Sequence, residues 1–454
     1  MNHERHSPTK AEGGWAQLDF IAHIRKSDKA VQTVREHLLA VKRLAEQLGA
    51  KLGVPHMAGL AGLLHDLGKL TYAFRKYILD AAVSPDLAKR GSVDHATAGG
   101  KLLYELYHGT RSFHGMLAEM VGNAVISHHS YLQDFVGVDL SSDYLRRVRD
   151  KKDQALDEFP DARRRFFESV MGEAEFQAYV DRAAEELRAF AARAQAERDE
   201  SRINFCLMFL MKFIFSALID ADRTDARRFE EQEDEPADAE TVDTQALFRA
   251  YYDRLTAHLA KLESREDADS TINRLRRSMS EQCDRFAEKP SGIYTLSIPT
   301  GGGKTLASLR YALKHALLYH KKRIVYVVPY TTIIEQNAEE VRKILRDYDH
   351  ILEHHSNVVD DDHVDDEAQD GIPTDGPKWK LARDTWDVPI LFTTMVQFLN
   401  VFYAKGTRNV RRLHQLCESV VIFDEVQKVP VHCISLFNEA LNFLKTFGRA
   451  SIVL

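Results

Sequence analysis

The segment Leu63-Leu64-His65-Asp66-Leu67-Gly68-Lys69 sets an imidazole, a carboxylate and an ammonium close together inside an apolar stretch. Buried groups of these types need partners, and the chain supplies candidates. Of 20 histidines, 11 fall in the first 129 residues and none between 130 and 257. His37 precedes the pair, His95 follows in Asp94-His95-Ala96, and His128-His129 come next. Asp220-Ala221-Asp222 ends an apolar helical stretch at 205–219. Gathered at one point, these residues make a metal centre with enough ligands for two ions and Asp66 bridging them. Imidazoles mixed with carboxylates suit Mn, Fe, Co, Ni or Zn better than an all-oxygen Mg site. Two such ions can activate water against a phosphate ester. Lys69 would project from a nearby face of the same helix as Asp66 and hold the scissile phosphate. Each member alone has a plainer reading: His37 or His95 as a core or surface histidine, Asp220 or Asp222 as a helix cap. The two aspartates cannot both face one site from a helix. His3, His6, His23, His56, His108 and His114 are assigned no role.

A second set lies in Ile298-Pro299-Thr300-Gly301-Gly302-Gly303-Lys304-Thr305, between an expected strand and an expected helix. Three glycines let backbone N–H groups curl around phosphates, and the helix N-terminus adds its dipole. Lys304 would contact the β- and γ-phosphates, and the Thr305 hydroxyl would ligate Mg. The strict P-loop pattern has Gly where this chain has Ile298. About 120 residues later, Val420-Val421-Ile422-Phe423 runs into Asp424-Glu425. A buried strand ending in two carboxylates suits Asp424 to hold Mg and Glu425 to polarise the attacking water.

The elements that must position these groups fall into two patterns. From about 17 to 228 apolar residues recur at helical spacing throughout. Residues 230–240 carry seven acidic side chains and no basic one, which marks a linker. A helical lead-in spans about 244–286. Beyond Pro290, short β-branched runs at 294–298, 324–328, 390–393, 420–423 and 451–454 alternate with helices, the mark of a covered parallel sheet. The acidic stretch 359–370 reads as a long surface loop. The division expected is 1–229 for an all-α metal-binding domain, 230–243 for the linker, 244–289 for the lead-in, and 290–454 for an α/β lobe. Cys206, Cys283, Cys417 and Cys433 have no paired spacing and read as reduced cytosolic thiols. No signal peptide and no run of about 18 apolar residues is evident, so a cytoplasmic protein without membrane contact is expected. A net charge of −7 excludes binding to nucleic acid by bulk positive charge. The basic clusters 146–152, 163–165, 274–277 and 408–412 read singly as solvated helix faces.

The ordered set of His37, His65-Asp66, His95 and Asp222 resembles the HD phosphohydrolase superfamily. The added His128-His129 pair is similar to the variant in nucleases of type I CRISPR systems. That resemblance implies Asp222 as the last ligand, with Asp220 as the fallback. The glycine loop and Asp424-Glu425-Val426-Gln427 resemble superfamily 2 helicases of DExD/H type, Gln427 replacing the usual His or Asp. Pro329-Tyr330-Thr331 and Thr393-Thr394 resemble the motifs with which those motors grip a DNA backbone. Together the two halves resemble the type I CRISPR nuclease-helicase family. The resemblance implies a RecA-like lobe using ATP with Mg. It also implies cleavage of single-stranded DNA, the displaced strand of an R-loop, and recruitment by a guide-RNA surveillance complex. Phage inhibitor proteins are a further expected partner. The family continues past Ser451-Ile452-Val453-Leu454 into a second lobe, so weak nucleotide binding and no translocation are expected of this chain alone. The competing functions are an HD-type nucleotide phosphohydrolase and a non-catalytic recruitment module.

Overall fold

The computed structural model describes residues 20–83, 91–110, 112–151, 154–196, 200–232, 243–329, 331–355 and 378–454. Its first half is built of α1 (Val34–Gly49), α2 (Pro55–Leu64), α3 (Tyr72–Val83), α4 (Thr97–Tyr107), α5 (Phe113–Ser127), α6 (Phe159–Ser169), α7 (Glu173–Gln195) and α8 (Glu200–Glu231). Thr33 opens α1 with a capping box: its hydroxyl accepts from the Glu36 N–H while the Glu36 carboxylate accepts from the Thr33 N–H. Every residue of α2 from Met57 to Leu64 is buried, because α1, α5, α7 and α8 surround it. The end of α2 therefore lies at the centre of the domain, where a charged or metal-binding group is shielded from water.

Two features depart from the expected helical pattern. An antiparallel hairpin, β1 (Ile21–Ile24) and β2 (Val31–Thr33), precedes α1. Its turn is set by Asp28, which accepts from the Ala30 N–H, and by Lys29 in the left-handed region at φ 61°. The second departure is at the far end, where α8 runs through Glu230 and Glu231, both assigned above to the linker. The rest of that acidic stretch, 233–242, and the acidic stretch 359–370 lie outside the described residues.

The second half is α/β, as expected. Helices α9 (Thr244–Glu263) and α10 (Thr271–Phe286) precede β3 (Ile293–Tyr294), α11 (Lys304–Leu318), β4 (Arg323–Val328), α12 (Thr331–Leu345) and β5 (Ile351–His354). Then come α13 (Lys378–Thr385), β6 (Ile390–Thr394), α14 (Met395–Tyr403), α15 (Thr407–Arg411), β7 (Ser419–Phe423), α16 (Ile434–Thr446) and β8 (Ser451–Val453). The sheet order is β3-β8-β7-β4-β6-β5 and every pairing is parallel. Strands form at all five expected runs, though 294–298 is a strand only at its start, in β3. β5, with Glu353 and His354 breaking its apolar run, had no legible signal. The lead-in belongs to this lobe: Phe248, Tyr251, Leu255 and Cys283 share one core with Leu309 and Leu313 of α11.

The two halves meet along α8. The Phe209 ring lies 5.3 Å from that of Phe402 and 5.1 Å from that of Phe443, and Phe190 stacks on Phe447 at 4.2 Å. A single hydrophobic core crosses the junction. By length and composition α8 is apolar enough to cross a membrane, contrary to the expectation above, but most of its apolar window is buried inside the protein. It is apolar on several faces because a domain packs on each. The basic run 408–412 is likewise no solvated face, since Arg411 and Arg412 are buried at 5% and 1% exposure.

Candidate metal centre and nucleotide site

The His-Asp pair does not sit within a helix. α2 ends at Leu64, His65 caps it, and Asp66 opens the tight turn Leu67–Leu70 that carries Lys69. Gly68 fits under the chain at His95, whose carbonyl oxygen would lie 2.4 Å from any added Cβ. That close approach brings His95, in the loop before α4, to the motif. α1 contributes His37, the C-terminal end of α5 contributes His128 and His129, and α8 contributes Asp222.

The side chains form two clusters that share Asp66. On one side His37 Nε2 and His65 Nε2 each lie 3.3 Å from Asp66 Oδ2, and 3.5 and 3.4 Å from Asp222 Oδ1. On the other, His128 Nε2 and His95 Nε2 lie 3.4 and 3.7 Å from Asp66 Oδ1, and His95 Nε2 is 2.5 Å from His129 Nε2. Four of these rings are anchored through Nδ1. His65 bonds to the Gly62 carbonyl at 2.8 Å, His128 to Val125 at 2.7 Å, His95 to Val93 at 3.2 Å, and His37 to the Asp225 carboxylate at 2.7 Å. Anchoring Nδ1 turns Nε2 and its lone pair inward, the arrangement of metal-ligating histidines. Asp66 Oδ1 and His128 Nε2 are buried without a hydrogen-bond partner. Orphaned acceptors facing four imidazoles and a second carboxylate are a donor set that fits divalent transition metals.

Electrostatics agree with this reading. Burial opposes ionisation of Asp66, but the Lys69 ammonium and His65 outweigh it and hold its carboxyl well below the usual range. Lys69 is itself 5% exposed, 2.7 Å from Asp66 Oδ2, and donates to the Ala22 carbonyl. It therefore faces inward and balances the charge of Asp66 rather than standing free on a helix face. Asp220 points away from both clusters: Arg411 donates to it at 2.6 Å and His414 at 3.0 Å, both from the second lobe. Two residues of the centre escaped sequence reasoning. Asp225 stood in view, one helical turn beyond Asp222. His23 packs its ring 4.7 Å from that of His37 and 3.5 Å from Lys69 Nζ, and the unexpected hairpin is what delivers it.

In the second lobe the glycine loop follows β3. Gly301 and Gly303 adopt left-handed φ of 76° and 81°, and a Cβ at Gly302 would meet Ile298 at 2.6 Å. Ile298 thus packs under the loop where the strict pattern has glycine. Thr300 is exposed at the start of the turn. Lys304 Nζ reaches Asp424 Oδ1 and Glu425 Oε1, each at 3.0 Å. Together with Thr305 and Gln427 they line one cleft at the C-terminal ends of the strands, the position where open α/β sheets bind ligands. The residues expected to grip a strand are less open than that role suggests. The Thr393 hydroxyl is buried and donates to the His354 carbonyl at 3.0 Å, while the Thr394 hydroxyl caps α14 by accepting from the Gln397 N–H. Pro329 is half-buried, Tyr330 lies outside the described residues, and Thr331 begins α12.

Comparison with known proteins agrees with both halves. Residues 34–156 match the HD domain family and residues 278–450 the DEAD/DEAH box helicase family. The CRISPR-associated nuclease/helicase Cas3 of Haloferax volcanii is 27% identical over 214 residues, 42% of this chain and 22% of that protein. The crystal structure of T. fusca Cas3 with AMPPNP superposes with a TM-score of 0.55 at 18% identity, over 96% of this chain and 50% of that one. The ADP form superposes with a TM-score of 0.53 at the same identity. This chain thus spans about half the length of the solved chains it resembles.

Proposed function

Since the chain is a Cas3-like fusion of an HD domain with a DEAD/DEAH box helicase domain, we propose that it is a metal-dependent nuclease acting on single-stranded DNA in CRISPR interference. In this reading a guide-RNA surveillance complex presents the displaced strand, and the second lobe uses ATP with Mg to feed it. The observation that carries the reading is the pair of ligand clusters sharing Asp66, on a chain whose other lobe presents Lys304, Asp424 and Glu425 in one cleft. One or two ions of Mn, Fe, Co or Ni would supply the Lewis acidity that phosphodiester hydrolysis needs.

The chain's own residues do the rest. Asp66 offers one oxygen to each cluster. Backbone carbonyls and Asp225 aim the imidazoles. Lys69 keeps Asp66 ionised. In the second lobe Lys304 is held by the two carboxylates and would exchange that pairing for nucleotide phosphates, leaving Asp424 for Mg and Glu425 to orient water. The test is circular single-stranded DNA incubated with Mn²⁺, Co²⁺, Ni²⁺ or Mg²⁺ without ATP, beside Asp66→Ala. Metal-dependent linearisation lost in the variant is expected. Hydrolysis of nucleotides with the circle left intact would replace this reading with that of a nucleotide phosphohydrolase.

A further inference from the structure

The metal centre opens toward solvent on one side. Asp222 has 21% of its side chain exposed against 3% for Asp66, and His95 has 12% where His37 and His65 have none. His129 is half-buried. Tyr131 follows His129 by two residues, and Arg223 follows Asp222 directly. Both are met by one short segment of the other domain. Lys405 sets its ammonium 5.1 Å from the centroid of the Tyr131 ring, and Thr407 accepts a hydrogen bond from Arg223 at 2.7 Å. One segment of the second lobe therefore touches a residue directly after Asp222 and another two after His129, on the side where the centre is less buried.

Tyr131 remains 39% exposed despite this contact, and Lys405 is exposed. Among the described residues Lys405 has no carboxylate partner. An exposed cation–π contact needs no ligand to exist. Its position is what gives it meaning. The segment lies at the end of α14, whose first residue follows Thr394 at the C-terminal edge of the sheet. Nine residues of helix span about 13 Å. One short helix thus joins the strand-side edge of the motor lobe to the mouth of the nuclease centre. An aromatic face beside a lone ammonium is the composition that holds a single nucleic-acid strand, the ring stacking a base and the cation taking a phosphate.

We propose that Tyr131 and Lys405 form a two-domain subsite for single-stranded nucleic acid at the mouth of the metal centre. Tyr131 stacks one base, and Lys405 holds the adjoining phosphate, so the nucleotide next to it is presented to the ligand clusters. Such a subsite reads no base edge and is indifferent to sequence. It rests on the nuclease reading above for its substrate class, and it makes the helicase lobe a structural part of the nuclease's substrate site.

The test uses the full chain with Mn²⁺, without ATP, and compares two substrates. Bis(p-nitrophenyl) phosphate has one phosphate and no nucleobase, whereas an oligothymidylate offers a base and an adjoining phosphate beyond the one cut. Tyr131→Ala and Lys405→Glu should each raise the oligonucleotide KM by about fivefold or more relative to any change with the small diester, the low end of what losing one stacked base costs. Tyr131→Phe, which keeps the ring, should restore the wild-type ratio. An oligonucleotide carrying 5-iodouracil should photo-crosslink to Tyr131. Equal losses on both substrates, or no change in KM, would overturn the subsite and leave the nuclease standing. If the wild-type chain hydrolyses neither substrate, the nuclease reading falls. The crosslink then decides the subsite alone, and its absence at Tyr131 overturns it.

Discussion

Asp220 and Asp222 stand two residues apart on α8 and serve different domains. Asp222 Oδ1 lies 3.4 Å from His65 Nε2 in the metal centre, while Asp220 Oδ1 accepts from Arg411 of the helicase lobe at 2.6 Å. A helix turns about 100° per residue, so side chains two apart point in nearly opposite directions. The same helix thus carries a candidate ligand on one side and the domain junction on the other.

Substituting the two separates their roles. Asp222→Ala should lower the bound metal measured by elemental analysis and abolish DNA cutting. Asp220→Ala should keep the metal but destabilise the chain by about 3 kcal/mol, the cost of leaving one member of a buried ion pair unpaired. A thermal melt beside the metal analysis reads both, and loss of metal in Asp220→Ala would reverse the assignment.

Asp225 acts on the centre through His37, whose Nδ1 lies 2.7 Å from its carboxylate. Asp225→Asn keeps the shape but removes the charge, so His37 loses basicity and its fixed tautomer. Metal affinity should weaken by about 10–100-fold, as measured for other groups behind a ligand. A Mn²⁺ titration followed by electron paramagnetic resonance gives the number directly.

The metal-free centre should be strongly pH-dependent. Burial opposes a charge on His65, but Asp66 and Asp222 outweigh it and push its pKa up to about 9. His37 is raised too, burial again opposing and Asp222, Asp225 and Asp66 prevailing. These protons must leave before metal binds. Affinity should therefore climb as pH rises toward about 9, and binding at neutral pH should release protons, seen by calorimetry in buffers of differing ionisation enthalpy. The stability these two histidines give the metal-free fold has the opposite trend. It is fully present below their unfolded pKa of about 6.5 and fades as pH rises through the folded value.

Lys304→Ala removes the cation facing Asp424 and Glu425. Nucleotide binding, followed with a fluorescent ATP analogue, should become undetectable. Metal content and metal-dependent cutting of single-stranded circles without ATP should stay at wild-type levels, because among the described residues Lys304 pairs with Asp424 and Glu425 rather than with the candidate ligands. Coupled loss of both would mean that the nucleotide loop governs the nuclease directly.

Much of this was legible before any coordinates. The helical half and the parallel sheet follow from side-chain types at fixed spacing, and the resemblance names the candidate ligands that the fold brings together. The misjudged parts are those set by neighbours far away in the chain. Lys69 faces inward because α2 ends one residue before the motif and the chain turns there, and a run of apolar residues across 63–67 hides that end. Asp220 stays a fallback to Asp222 in the sequence because its partners, Arg411 and His414, come from about 190 residues away. His23 was passed over because a four-residue strand leaves hardly any periodicity to find. The Thr393 hydroxyl looked free because its acceptor, the carbonyl of His354, lies on a strand that was itself unseen.

The apolar girth of α8 bears on how this protein can be handled and how it was put together. A fragment cut at the acidic stretch after α8 would keep every metal ligand. It would also lay bare Phe209 and its neighbours, which Phe402 and Phe443 now cover. Such a surface invites aggregation. The acidic stretch reads as a seam in the sequence, yet the apolar contact between the halves runs lengthwise down a helix, so cutting there exposes it.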